Sequence, residues 1–124
     1  MRKIALVVMA LYASGAHAEL AYVAPLNGES IGNTVSLASK AVFYLNRKCK
    51  LAVVNAEHMR HYVYFREGGD NEVGCWGKTI DGTVFNVVRR GISMNVDEEV
   101  LYKVDVKTDG TGVVVERPAF FNRR

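Results

Sequence analysis

Apolar and polar residues alternate along much of this chain with a period of two. Between Thr34 and Leu45 the odd positions Val35, Leu37, Ala41, Phe43 and Leu45 are apolar, with Ser39 the exception, while the even positions include Thr34, Ser36, Lys40 and Tyr44. One apolar side at period two is the pattern of a half-buried strand, and it predicts a single strand over 34–45. Upstream, Glu19 to Asn33 carries Pro25, Asn27-Gly28 and Gly32-Asn33, which read as an irregular lead-in with a short edge strand at Leu20 to Val23. Downstream, Leu51 to Val54 is an apolar run too short for periodicity to assign, and Asn55 to Arg60 fits a helical turn or a loop equally well. Residues 61–66 and 72–80 are rich in β-formers and are joined by Gly68-Gly69-Asp70-Asn71, the composition of a hairpin connection.

Two Asp-Gly pairs extend the pattern into registers. If Asp81-Gly82 is a two-residue turn, Ile80 faces Thr83, Lys78 faces Phe85 and Trp76 faces Val87. Trp76 and Ile80 then share a face with Phe85 and Val87, and Cys75 falls on the other face with Val84 and Val88. With Asp109-Gly110 as a second such turn, Val106 faces Val113, Val104 faces Val115, and Lys103 faces Glu116 as a favourable charge pair. Asp97-Glu98-Glu99 interrupts the apolar pattern between the hairpins as a solvated bend. The sum is an all-β domain of six or seven short strands in a small antiparallel meander, forming a sandwich or a partly open barrel.

The N-terminus belongs to another class. Arg2 and Lys3 are followed by the charge-free run Ile4 to Ala13 and by Ala16-His17-Ala18, the three successive parts of a secretory signal peptide. The apolar run is well short of the roughly 20 residues that a membrane span requires, so no stable membrane span is expected. Cleavage after Ala18 divides the chain into a signal at 1–18 and a single β domain at 19–124, with Glu19 as the new N-terminus. Removal of Arg2 and Lys3 leaves 14 Lys and Arg against 13 Asp and Glu, so the basic balance of the full chain largely disappears. A nucleic-acid partner would want a concentrated basic face and is not expected. The expected location is periplasmic or extracellular.

Export decides how the two cysteines read. In an oxidising compartment Cys49 and Cys75 form a structural disulfide, which a domain of this size needs more than a large one does. His58 and His61 lie three apart and would share a face if their segment were helical; with the two sulfurs they make up the ligand set of a structural zinc site. The cysteines are not a closely spaced pair, and an oxidised pair offers no thiolates, so the disulfide with loop histidines is the reading adopted and no cofactor is expected. Neither cysteine sits in a motif that activates a nucleophile, the acids are clustered or scattered rather than placed across a cleft, and no phosphate loop is present. A single-strand-binding reading of Arg47-Lys48-Cys49-Lys50 and Arg89-Arg90 with Tyr62, Tyr64 and Phe65 meets a difficulty. Tyr62 and Tyr64 alternate with Val63 and Phe65, placing one pair in the core and the other at the surface. Trp76 beside a half-cystine reads as core packing against sulfur, and Phe120-Phe121 as a tail that docks on the domain, on a partner or on a membrane surface.

A cysteine in a strand, then Gly74-Cys75-Trp76 on a β meander, then Pro118 and Phe120 near the end resembles small exported proteins of unknown function from phage, prophage and β-proteobacterial genomes. The resemblance implies an envelope setting and brings no catalytic residues. The expected function is a non-catalytic interaction module of the bacterial envelope, binding a protein or other envelope component through Trp76, Tyr62, Tyr64, Phe120 and Phe121. A structural or assembly subunit or secreted accessory protein is the next reading, and a small enzyme or zinc-binding protein the third. The oligomeric state is not legible.

Overall fold

The computed structural model describes residues 19–89 and 91–119. Among the described residues nine strands form one curled antiparallel sheet with the shape of a half-barrel. They are β1 (Leu20–Ala24), β2 (Thr34–Ser36), β3 (Ala41–Lys48), β4 (Arg60–Tyr64), β5 (Glu72–Lys78), β6 (Thr83–Val88), β7 (Gly91–Asp97), β8 (Tyr102–Val106) and β9 (Thr111–Glu116). The spatial order is β2-β9-β8-β1-β3-β4-β5-β6-β7. Strands β3 to β7 are thus a meander, as the pattern predicts. The remainder is not, because β1 lies between β3 and β8.

That position corrects the lead-in reading. The stretch Leu-Ala-Tyr-Val-Ala is apolar on both sides of its alternation, with Ala21 and Val23 fully buried and the others half-buried. A strand covered on both faces suits the middle of a sheet rather than its edge. It ends at Pro25, which has no amide hydrogen to donate to a ladder. The single strand expected over 34–45 is also two. Lys40 N donates to the Leu37 carbonyl across a tight turn in which Ser39 takes a φ of 60°. The turn swings Leu37 into the core at 1 % exposure and lets β2 pair with β9 while β3 pairs with β1 and β4. Residues 51–54 form no strand, and Ala56–His58 is a single 3-10 turn entered through Asn55 at a φ of 64°.

Alternate residues of the central strands feed two cores, one on each face of the sheet. Val42, Tyr44 and Val63 join Ala21, Val23, Leu37, Tyr102, Val104 and Val114 on one side. Ala41, Phe43, Tyr62 and Trp76 join Val84, Val88 and Leu101 on the other. His61 and Cys75, which face each other in register, fall on the first side. The first side is called the disulfide face below, and the second the tryptophan face.

Both Asp-Gly hairpins carry three-residue loops instead of two. Thr79 N donates to the Thr83 carbonyl around Ile80-Asp81-Gly82, and Lys107 N donates to the Thr111 carbonyl around Thr108-Asp109-Gly110. In each loop the glycine holds a positive φ, 89° at Gly82 and 87° at Gly110. In each the aspartate accepts the backbone N–H of the threonine two residues on, so Asp-Gly-Thr sets a longer loop than Asp-Gly alone would suggest. The extra residue shifts the registers by one. Trp76 faces Asn86 and Cys75 faces Val87, so Trp76 shares its face with Val84 and Val88 and not with Phe85 and Val87. In the second hairpin Val104 faces Val114, both fully buried, and Val106 faces Gly112. A bulge beyond Val104 restores Lys103 opposite Glu116, with the charges 3.5 Å apart. Asp97-Glu98-Glu99 does form a bend, a 3-10 turn over Glu98–Val100 capped by the Asp97 carboxylate accepting from Glu99 N.

Cys49 and Cys75 are bonded, with their Cα atoms 5.2 Å apart. The bond joins the end of β3 to β5 across the intervening β4. It lies on the side of β5 away from Trp76, as expected, but its companions there are Val87 and His61. Among the described residues no helix is long and apolar enough to cross a membrane.

Candidate functional site

The sheet is irregular at one place in its middle. Strands β3 and β4 run in register as far as Phe43 opposite Tyr62, and resume with Lys48 opposite Arg60. Residues 44–47 thus face His61 alone, and the bulge frees a β3 carbonyl. The Trp76 indole N–H, reaching from β5 across β4, donates to the Tyr44 carbonyl at 2.8 Å. This bond, with edge-on contacts to Phe43 at 5.9 Å and Tyr22 at 6.1 Å, holds the indole in the core of the tryptophan face at 4 % exposure. Trp76 therefore packs on aromatic rings and not on the disulfide sulfur, which the alternation places behind it.

Above this aromatic floor runs a groove. Its first part, about 270 Å³, is lined by Tyr22, Leu45, His58, Arg60, Trp76, Gly77 and Lys78. Leu45, His58 and Arg60 are shared with a second part of about 420 Å³, which also takes in Lys48 and Glu57. The cations on the groove differ in their company. Lys78 Nζ donates to Glu98 Oε2 at 2.8 Å, and the same oxygen receives the Tyr22 hydroxyl at 3.4 Å. Burial first and the Glu98 charge second push the Tyr22 phenol above its ordinary pKa, so it stays protonated and able to donate. Lys48 and Arg60, by contrast, form no ion pair with any described residue. They face each other directly in register, on the same side as Trp76. Like charges directly opposite across a ladder repel, and a sheet selected for stability alone would place an acid at one of the two positions.

The candidate residues named from sequence separate here. Trp76 is at the groove but beneath it. Tyr62 is 1 % exposed, its ring tilted against Phe43 at 5.1 Å, and burial pushes its phenol up to about 12. Tyr64 is half-buried against the same core. The expected division of Tyr62 and Tyr64 from Val63 and Phe65 into core and surface does not occur, because the sheet is covered on both faces and each pair packs into a different core. No stacking platform is formed by these tyrosines. Phe120 and Phe121 lie outside the described residues.

His58 and His61 do not share a helical face, since a 3-10 turn gives way to a strand between them. His58 is exposed, 3.7 Å from Glu57, at the rim of the groove. His61 points into the disulfide face beside Tyr44 at 6 % exposure, and its Nδ1 has no hydrogen-bond partner among the described residues. Burial, with Lys50 and Arg47 adding to it, depresses its pKa. Both sulfurs are committed to the disulfide, and among the described residues no three His, Cys, Asp or Glu side chains are grouped to hold a metal ion.

The sequence pattern does not single out Tyr22, Arg60 or Lys78 as groove residues, and it places Lys48 with its chain neighbours rather than with Arg60. The alternation of β4 contains the missing signal, since Arg60, Tyr62 and Tyr64 share a face. It becomes readable only once the bulge in β3 is known. No family profile, curated protein or solved structure matches the chain.

Proposed function

We propose that this protein is an exported, disulfide-stapled, non-catalytic interaction module of the bacterial envelope, phage- or prophage-encoded, which grips an anionic envelope component in the groove over Trp76. The observation that carries the reading is the opposition of Lys48 and Arg60 with no described acid paired to either, beside an aromatic and aliphatic floor. An anionic ligand relieves that repulsion, and desolvating the contact against Leu45 and Tyr22 strengthens it. The disulfide supports the location, since such bonds persist in oxidising compartments.

Trp76 is the chain's single tryptophan, so its emission reports on the groove directly. Titration with lipopolysaccharide should give a saturable change in Trp76 fluorescence that weakens with added salt and is lost in Arg60→Gln, whereas neutral dextran gives none. A response that Arg60→Gln leaves unaltered would sink the reading.

A second reading, an assembly subunit, is favoured by one feature. Strand β7 is seven residues long and no described strand pairs with its outer edge, which is the template for adding a strand from another chain. Sedimentation of the purified protein across a hundredfold range of concentration distinguishes this from a monomer.

A further inference from the structure

Glu19, the first described residue and the one that the signal reading makes the new N-terminus, is tied down on three sides. The Glu19 backbone N lies 3.0 Å from Asp105 Oδ1 on β8. Its carbonyl accepts Val106 N at 2.8 Å. Its carboxylate receives Arg47 Nη2 at 2.6 Å and Nε at 3.0 Å, and the Arg47 guanidinium lies 4.3 Å above the Tyr44 ring. Termini commonly fray unless something holds them, and here both neighbouring strands contribute a charged side chain.

We propose that signal removal after Ala18 completes a built-in site: the α-ammonium group released on Glu19 docks on the Asp105 carboxylate and locks the central strand β1 between β3 and β8. The proposal rests on the reading of residues 1–18 as a cleaved signal. Before cleavage the Glu19 nitrogen is an amide that can only lend a neutral hydrogen to Asp105. After cleavage it is a cation with three hydrogens facing a carboxylate, and charge-assisted bonds of this kind are about twice as strong as neutral ones. Asp105 has an oxygen for the role, because Lys107 Nζ occupies Oδ2 at 2.9 Å and leaves Oδ1 to Glu19. The other groups facing the site are Tyr44 and Arg47 from β3, with His61 behind Tyr44. Arg47 is already neutralised by the Glu19 carboxylate. Cleavage two residues further on would remove Glu19 and Leu20 and leave Arg47 and Asp105 without these partners. Cleavage after Ala18 keeps both partners in place.

The test starts from the full chain expressed with its leader and recovered from the envelope fraction. N-terminal sequencing should read Glu19. Reductive methylation with a carbon-13 label then follows the α-amine by NMR as pH is raised. The expected pKa lies roughly one unit above the free value of about 8 and returns to that value in Asp105→Asn. An α-amine within about 0.3 units of the free value overturns the lock while leaving the export reading intact. A chain that begins at Met1 overturns both. Should Asp105→Asn fail to fold, the titration of the unmutated protein decides alone.

Discussion

Breaking the Cys49–Cys75 bond should remove a calculable share of the stability of this domain. The perturbation is the double variant Cys49→Ala/Cys75→Ala, run beside the unmutated protein with and without reductant. The bond closes a separation of 26 residues. Loop-closure entropy for that length amounts to about 12 cal/mol/K, or about 3.5 kcal/mol at room temperature, withdrawn from the unfolded state. Cys75 is fully buried, so its replacement also leaves a small hole, whereas reduction keeps both sulfur atoms in place. The two perturbations should therefore agree to within about 1 kcal/mol, the size of a one-methyl cavity. Against the 5–15 kcal/mol typical of a small domain, a loss of this size is a large fraction of the total. Guanidinium unfolding followed by Trp76 emission should move its midpoint down by on the order of 1 M. The melting temperature should fall by roughly 15–25 °C. A loss below about 1 kcal/mol in both arms would refute the loop-closure account and mean that the unfolded chain already holds these segments together.

Other perturbations read other parts of the structure. Gly74→Ala would drive a Cβ into the Val87 carbonyl oxygen and to 2.9 Å from Val88 Cγ1, so it should cost about 2–3 kcal/mol in urea unfolding; Gly77→Ala meets only the Phe85 ring and should cost less. Lys48→Glu replaces a like-charged pair by a complementary one and should raise stability by about 0.2–1 kcal/mol while abolishing lipopolysaccharide binding; a gain in both would contradict the groove. Trp76→Phe removes the donor to the Tyr44 carbonyl and should cost about 1–3 kcal/mol, readable by circular dichroism melts. His61 has its pKa depressed by burial below the ordinary 6.5, so the unfolded chain takes up its proton first as pH falls. The contribution is whole above pH 6.5 and is lost progressively below it, until the folded ring is protonated too. His61→Phe should flatten that part of the stability profile, and an unchanged slope would place the acid sensitivity elsewhere.

What was legible in the sequence followed from local chemistry. The meander from β3 to β7 and the two hairpins at Asp-Gly arise from neighbouring residues, and the disulfide was read from an expected oxidising setting. The registers differ by one because a threonine after each Asp-Gly recruits the aspartate into a longer loop, a choice that depends on a residue outside the turn pair. The split of 34–45 turned on Ser39 adopting a left-handed backbone, which serine seldom does. Pairing of β1 with β8 links residues about eighty positions apart, and no local pattern encodes it. The groove was illegible for a related reason. Lys48 and Arg60 meet only because a bulge of residues 44–47 slides one strand past the other, and the pattern of alternation is silent wherever it is broken.

The place of β1 also sets the order in which the molecule can be finished. Polypeptides are made from the amino end, yet the earliest strand has Leu20 across from Asp105. Until the last fifth of the chain has emerged, one whole side of β1 lacks hydrogen-bonding partners and the halves of the sheet cannot be joined. A partly emerged chain therefore cannot complete the sheet, which closes only when its final hairpin arrives.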